Sequence, residues 1–341
     1  MRVIDKVVTG SDLSDLAAAF FDRMNPVDAN TGQFAANSPA AKLRQLASNN
    51  SIKKYQPVLD EMVGNLKDLF VGTPPQLMTL HEALLKKHKG KKEDLHGKRF
   101  KKLIEPVFGF YKTFRTSQAR ALVHDWFSAL NIFTCPYCNH EWLTQIGNHV
   151  SRDSLLLFDV DHYFPKWNYP YFALSFYNLI PACTSCNERI KLDGLLDLKD
   201  HFHPYVDDMD TALRFEVPIT SASQFFRENV PVQLRLVPLP MALLADQVRA
   251  VKTSDFFRLS ERYATHEDYA REVLQKSIKY DRSTLESLYS SHGKSMFQSK
   301  EQLVRMVLGN YPLAVDMHRR PLAKLAKDLA HGSPLMDFLT T

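Results

Sequence analysis

Apolar residues recur at helical spacing through the early part of the chain. Leu13, Leu16, Ala17, Phe20 and Phe21 form one stripe, and Tyr55, Val58, Leu59, Met62, Val63, Leu66, Leu69 and Phe70 form another. Side chains three and four apart share one face of a helix, so the spacing predicts a helical lobe from Asp12 to about His88. The Asn-, Pro-, Gly- and Ala-rich stretch from Asn25 to Pro39 is expected to be a loop. Phe108, Phe110, Tyr111, Phe114, Leu122 and Trp126 predict further helices between Leu103 and Leu130. Between Ile132 and Tyr205 the pattern changes to cysteines, aromatics and prolines, with one strand-like run from Leu155 to His162. Beyond it, Leu213 to Pro218 and Val232 to Val237 alternate with period two and are expected to pair as a hairpin. Regular helices are expected over Ser254 to Tyr280 and Lys300 to Leu308, and a last one begins with Pro321 at its start. The fold class read from this pattern is α+β, with a helical lobe at 1–130, a cysteine-bearing module at 131–205 and a mostly helical lobe with a β-hairpin at 206–341.

Composition narrows the picture without changing it. Of the 341 residues, 45% are hydrophobic and 24% are charged. That balance excludes a disordered chain and suits two or three lobes. No apolar run approaches the roughly 20 residues needed to span a bilayer, and the first residues lack a secretory h-region. A cytoplasmic protein without a membrane partner is expected. The net charge of +5 is mild, but its distribution is uneven: 86–120 holds twelve Lys or Arg against three acids. Such a segment is either a solvated face or a contact for a polyanion, nucleic acid being the natural candidate, with Lys86, Lys87, Lys91 and Lys92 at its front. Gly90 and Gly97 stand too far apart for a phosphate-binding P-loop, and Arg99 replaces the required Ser or Thr, so an ATPase is excluded.

All four cysteines fall in two C-x-x-C pairs, Cys135/Cys138 and Cys183/Cys186. In a cytosolic chain this arrangement reads as metal ligation rather than disulfide bonding. Four thiolates complete a tetrahedral Zn2+ and leave no open position, so the zinc is expected to be structural. The 44 residues between Cys138 and Cys183 leave room for a folded insertion, which contains Asp161, His162 and Asn178. His201 and His203 share a strand parity and form a weaker candidate metal pair, although histidines so placed more often cap and pack. Tyr163, Phe164, Trp167, Tyr169, Tyr171, Phe172, Phe176 and Tyr177 are expected to supply the module's own core rather than a base-stacking surface.

The order Cys135-Pro-Tyr-Cys138, Phe158-Asp-Val-Asp-His162, Asn178-Leu-Ile-Pro181, Cys183-Thr-Ser-Cys186-Asn187 and Lys191 resembles the HNH (ββα-metal) endonuclease family of the zinc-containing type, over roughly a fifth of the chain. The steps of 16 and 25 residues from His162 to Asn178 and Asn187 are similar to those of the HNH domain in RNA-guided DNA nucleases, whose third position is also Asn. The resemblance implies a zinc-stabilised ββα core that hydrolyses phosphodiester bonds of nucleic acid, DNA favoured and RNA possible. It further implies His162 as general base and Mg2+ or Mn2+ held by Asp161 and the Asn187 amide, with Asn178 bracing the loop that orients the imidazole. Lys166, Arg189 and Lys191 are the candidate phosphate contacts near the site. The flanking lobes resemble those of nuclease subunits in Septu-like and retron-associated anti-phage defence systems, which implies an ATPase partner. The readings weighed against this one are a tRNA-cleaving nuclease on the same fold and a non-catalytic, zinc-dependent nucleic-acid-binding or assembly module.

Overall fold

The computed structural model describes residues 3–4, 12–49, 51–89, 92–115, 117–147, 154–192, 194–293 and 296–340. The stripes of the early chain form α1 (Leu13–Met24), α2 (Pro39–Ala47), α3 (Gln56–Gly64), α4 (Leu66–Val71) and α5 (Pro74–Lys87). Local chemistry sets their starts. Ser38 accepts from the Ala41 N–H at 3.2 Å ahead of α2, and Thr73 and Gln76 form a capping box on α5. Such side chains satisfy amide groups that the first helical turn leaves without partners. The basic segment folds into α6 (Lys92–His96) and α7 (Lys98–Phe108). Helix α7 buries Phe100, Ile104, Val107 and Phe108 and turns its lysines outward, so an amphipathic stripe explains its packing against the Pro170–Phe172 turn. Helix α8 (Ser117–Leu130) leads into the cysteine-bearing segment.

The strands form three antiparallel pairs among the described residues: β1 (Gln145–Ile146) with β2 (Leu155–Leu156), β3 (Asp159–His162) with β4 (Leu179–Ala182), and β5 (Leu213–Glu216) with β6 (Arg235–Pro238). The run from Leu155 to His162, expected as one strand, is therefore two strands in different pairs. Leu157 stays exposed while Phe158 turns inward onto Phe127, 4.2 Å between ring centroids, and the chain bends between them. The expected hairpin is present, with β5 alternating buried and half-buried positions, but its second strand begins at Arg235 rather than Val232.

The long helix expected over Ser254–Tyr280 is also divided. Helix α10 (Leu244–Phe256), which follows the short α9 (Ser223–Phe226), ends before Arg258, whose φ of 50° is left-handed. The chain restarts as α11 (Leu259–Tyr263) and α12 (Glu267–Lys279). The break turns Phe257 inward to stack on Tyr137 with centroids 4.5 Å apart. After α13 (Arg282–Leu288) and α14 (Lys300–Leu308), helix α15 (Ala323–Ala330) starts after Leu322, so Pro321 lies outside it. The chain closes with α16 (Pro334–Thr340). Helix α15 locks to the hairpin through Asp328, which accepts from the Phe215 N–H at 2.9 Å, and through the buried Lys324, which reaches Asp210 and the Leu213 carbonyl. Buried residues of all three segments belong to one contiguous apolar core. No described helix is long and apolar enough to cross a membrane.

Candidate active site and metal centre

Both C-x-x-C knuckles are tight turns that converge. Cys138 and Asn139 donate backbone hydrogen bonds to the Cys135 carbonyl, and the His140 and Cys186 N–H groups point at Cys138 and Cys183 sulfur, 3.4 Å each. The four buried Sγ atoms lie within 4.8 Å of one another, and Cys138 and Cys183 sulfur are 3.9 Å apart. Zinc–sulfur bonds of about 2.3 Å in a tetrahedron set sulfurs about 3.8 Å apart, so the cluster can hold a structural ion such as zinc. Among the described residues no other group of His, Cys, Asp or Glu gathers in this way.

A cation from helix α11, distant in the chain, covers the cluster. Arg262 donates to Cys186 sulfur at 3.2 Å, to Cys138 sulfur at 3.5 Å and to Glu141 at 3.0 Å. Burial raises the Cys135 and Cys186 thiols above their usual range. At Cys138 burial is outweighed by hydrogen bonds from the other three thiols and by the Arg262 charge, which lower its pKa below the usual thiol range. Asn139, at a left-handed φ of 52°, fastens the same knuckle: its amide reaches Thr134 and the Met317 carbonyl, and its Oδ1 accepts from the Lys324 N–H at 3.0 Å. Neither Arg262 nor Asn139 carries a local motif. Only their distant partners mark them out.

Strand β3 sends Asp161 and His162 to opposite sides, as strand geometry requires, and both are buried. Asp161 meets Lys191, whose ammonium donates to both carboxylate oxygens at 2.7 Å and to the His162 carbonyl, while the Tyr137 hydroxyl donates to Asp161 Oδ2 at 2.7 Å. Burial pulls the Lys191 ammonium below its usual range, and Asp161 opposes that shift. Lys191, expected from the sequence as a phosphate contact, is 3% exposed and points inward. The reason is local: residues 185–191 wind as a π-helix, closed by the Leu192 N–H on the Asn187 carbonyl, and Leu192 then turns left-handed. Asn187 is half-buried at this turn and its side chain makes no hydrogen bond to Asp161. With an ammonium and a phenol already on its oxygens, Asp161 as arranged does not fit the role of Mg2+ ligand beside Asn187.

On the other side of β3, His162 Nε2 lies 3.0 Å from the Ala173 carbonyl. Burial, with a smaller contribution from the Lys166 charge, lowers its pKa to about 3, so the ring is neutral near pH 7. A carbonyl only accepts, so Nε2 carries the proton and Nδ1 the basic lone pair. Asn178 braces the loop that supplies this carbonyl. Its Oδ1 accepts from the Phe164 N–H at 2.6 Å, and its amide donates to the Phe164 carbonyl at 3.1 Å and the Phe172 carbonyl at 2.9 Å. Phe164, Tyr171, Phe172 and Phe176 pack that loop from within, whereas Trp167 remains 42% exposed.

A cleft of about 410 Å³ opens beside this histidine. Its wall includes Ala173 and Tyr111, whose ring meets the His162 ring edge-on at 5.5 Å, and Lys166, whose ammonium sits 3.9 Å over the Tyr111 face. Arg189, Lys86 and Lys87 are exposed or nearly so, and Lys87 pairs with Glu61 at the end of α5. Lys91 and the Lys92 side chain lie outside the described residues. His201 and His203 each accept at Nδ1 from a backbone N–H, that of Asp197 and that of Tyr205, at 3.2 Å.

No family model, curated protein or solved structure matches the chain.

Proposed function

We propose that this chain is an HNH-type endonuclease that hydrolyses phosphodiester bonds of nucleic acid, with DNA the favoured substrate and His162 the general base. The observation that carries the reading is the fixed tautomer of His162. Its Nε2–H is committed to the Ala173 carbonyl, which leaves the Nδ1 lone pair without a proton, and Ala173 and Tyr111, both in contact with the ring, belong to the wall of the lysine-lined cleft. A neutral imidazole can take a proton from an attacking water, and ammonium groups along the cleft can stabilise charge developing on the phosphate. Asn178 holds the loop, and thereby the ring, in position. The Cys135, Cys138, Cys183 and Cys186 cluster serves as scaffold when zinc is bound, because four thiolates leave the ion no site for substrate. The Mg2+ or Mn2+ implied by the HNH resemblance would have to displace the Lys191 ammonium from Asp161. A place in anti-phage defence beside an ATPase partner rests on the resemblance of the lobes alone.

The occupied Asp161 carboxylate favours a second reading, a zinc-dependent nucleic-acid-binding module without catalysis. One experiment separates them. Purified protein is incubated with duplex DNA, single-stranded DNA and tRNA, in Mg2+, Mn2+ or chelator, alongside His162→Ala. Cleavage that disappears in the variant while zinc content and circular dichroism stay unchanged supports the nuclease. Binding without cleavage under every condition supports the second reading, and preferential tRNA cleavage replaces DNA as substrate.

A further inference from the structure

We infer that the substrate is engaged as a single strand of nucleic acid, laid along the outer face of α7 with one nucleotide entering the cleft beside His162. The inference rests on the nuclease reading for its orientation but not for its binding surface. Lys98, Lys101, Lys102 and Lys112 line the cleft from α7 and the turn after it, and Lys166 lines it from the loop that follows β3. Among the described lining residues five ammonium groups thus stand beside one carboxylate, Glu105, which is itself paired with Lys112. Positions 98, 101 and 102 share a helix face, so the lysines form a short row rather than a scatter. Tracking a phosphate backbone needs such a row.

The shape of the cleft selects the strand. Its volume is about 410 Å³. That is the size of a pocket that encloses one small molecule. It can accept one splayed nucleotide but not the body of a duplex. His162 is only 6% exposed and lies against Ala173 and Tyr111 of the cleft wall, so a phosphate on the surface of a rigid duplex would stop short of it. The floor of the cleft is partly apolar, with Phe108, Pro170 and Tyr111, and the exposed Trp167 follows Lys166 directly in the chain. Of these aromatic rings Trp167 is the exposed one, and an unpaired base can stack on such a ring whereas a paired base cannot reach it. The α7 row, rather than Lys86 and Lys87 on α5, is therefore the principal track.

Fluorescence anisotropy on the full chain, in chelator so that no cleavage intervenes, tests this. The probes are a labelled oligothymidylate, oligouridylate as the RNA arm, and the oligothymidylate annealed to oligoadenylate. The single strands are expected to bind at least tenfold tighter than the duplex. Lys98→Ala/Lys101→Ala/Lys102→Ala is expected to weaken binding tenfold or more and to flatten the salt dependence by about 0.7 in log–log slope per lysine lost. Lys86→Ala/Lys87→Ala is expected to change affinity less than twofold. Equal or tighter binding of the duplex overturns the inference, as does a triple variant with unchanged affinity and slope. Single-strand binding through α7 by a protein that never cleaves would sink the nuclease reading and leave this one standing.

Discussion

Lys191 clasps both carboxylate oxygens of Asp161 at 2.7 Å in the interior, and the two residues are thirty positions apart in the chain. Two opposite charges in this setting repay their desolvation only together. Lys191→Ala should therefore cost about 3–5 kcal/mol, because it leaves Asp161 charged and buried. The double variant Asp161→Asn/Lys191→Met, which removes both charges, should recover much of that loss. Urea denaturation of the two variants checks this; an unchanged midpoint for Lys191→Ala would mean that the pair carries little of the fold.

The buried histidines predict an acid limit to stability. His162 and His203 both have pKa values lowered by burial from 6.5 to about 3. Between those values the unfolded chain binds more protons than the folded one, so stability falls as pH drops from about 6.5 towards 3. Urea midpoints at pH 7, 5.5 and 4.5 should decline in that order, and a midpoint constant across the series contradicts the assignment. By the same token, the cleavage rate attributed to His162 should lack the limb near pH 6.5 that an ordinary histidine base produces.

Arg262 ties the cysteine cluster to α11 through its contacts with Cys138 and Cys186 sulfur. Groups around a metal's ligands commonly change affinity about 10–100-fold when removed. Arg262→Gln should release zinc to a chromogenic chelator at least tenfold faster than wild type, with Arg262→Lys intermediate. Release rates that do not differ would leave the guanidinium a role in packing only.

Asn178 makes three buried hydrogen bonds to the backbone of the loop that supplies the Ala173 carbonyl. Asn178→Ala should destabilise the protein by about 3 kcal/mol, since backbone groups left unpaired cost about 1–3 kcal/mol each. Hydrogen exchange should rise across residues 164–173 more than in α1–α5. A uniform rise would mean that the brace is not local.

The features legible in the sequence are those whose partners lie close along the chain or follow a fixed period. The helical stripes of α1–α5, the alternation in Leu213–Glu216 and the paired cysteines are of this kind. Lys191 is a different case: α-helical spacing from Asn187 puts it on an outer face, whereas a π-turn carries it inward to Asp161. No Gly or Pro marks the break at Arg258, which follows instead from burial of Phe257 against Tyr137. Tyr137 itself sits in view between two cysteines, but its hydrogen bond to Asp161 depends on how β3 crosses the knuckle. Partners more than a hundred positions away leave no periodic trace.

That separation orders events during synthesis. All four thiols have left the ribosome soon after Cys186 is made, yet Arg262 and the Met317–Lys324 stretch that clamps Asn139 emerge much later. In a nascent chain that ends between Cys186 and Arg262, the four cysteines therefore lack the groups that cover them in the finished fold.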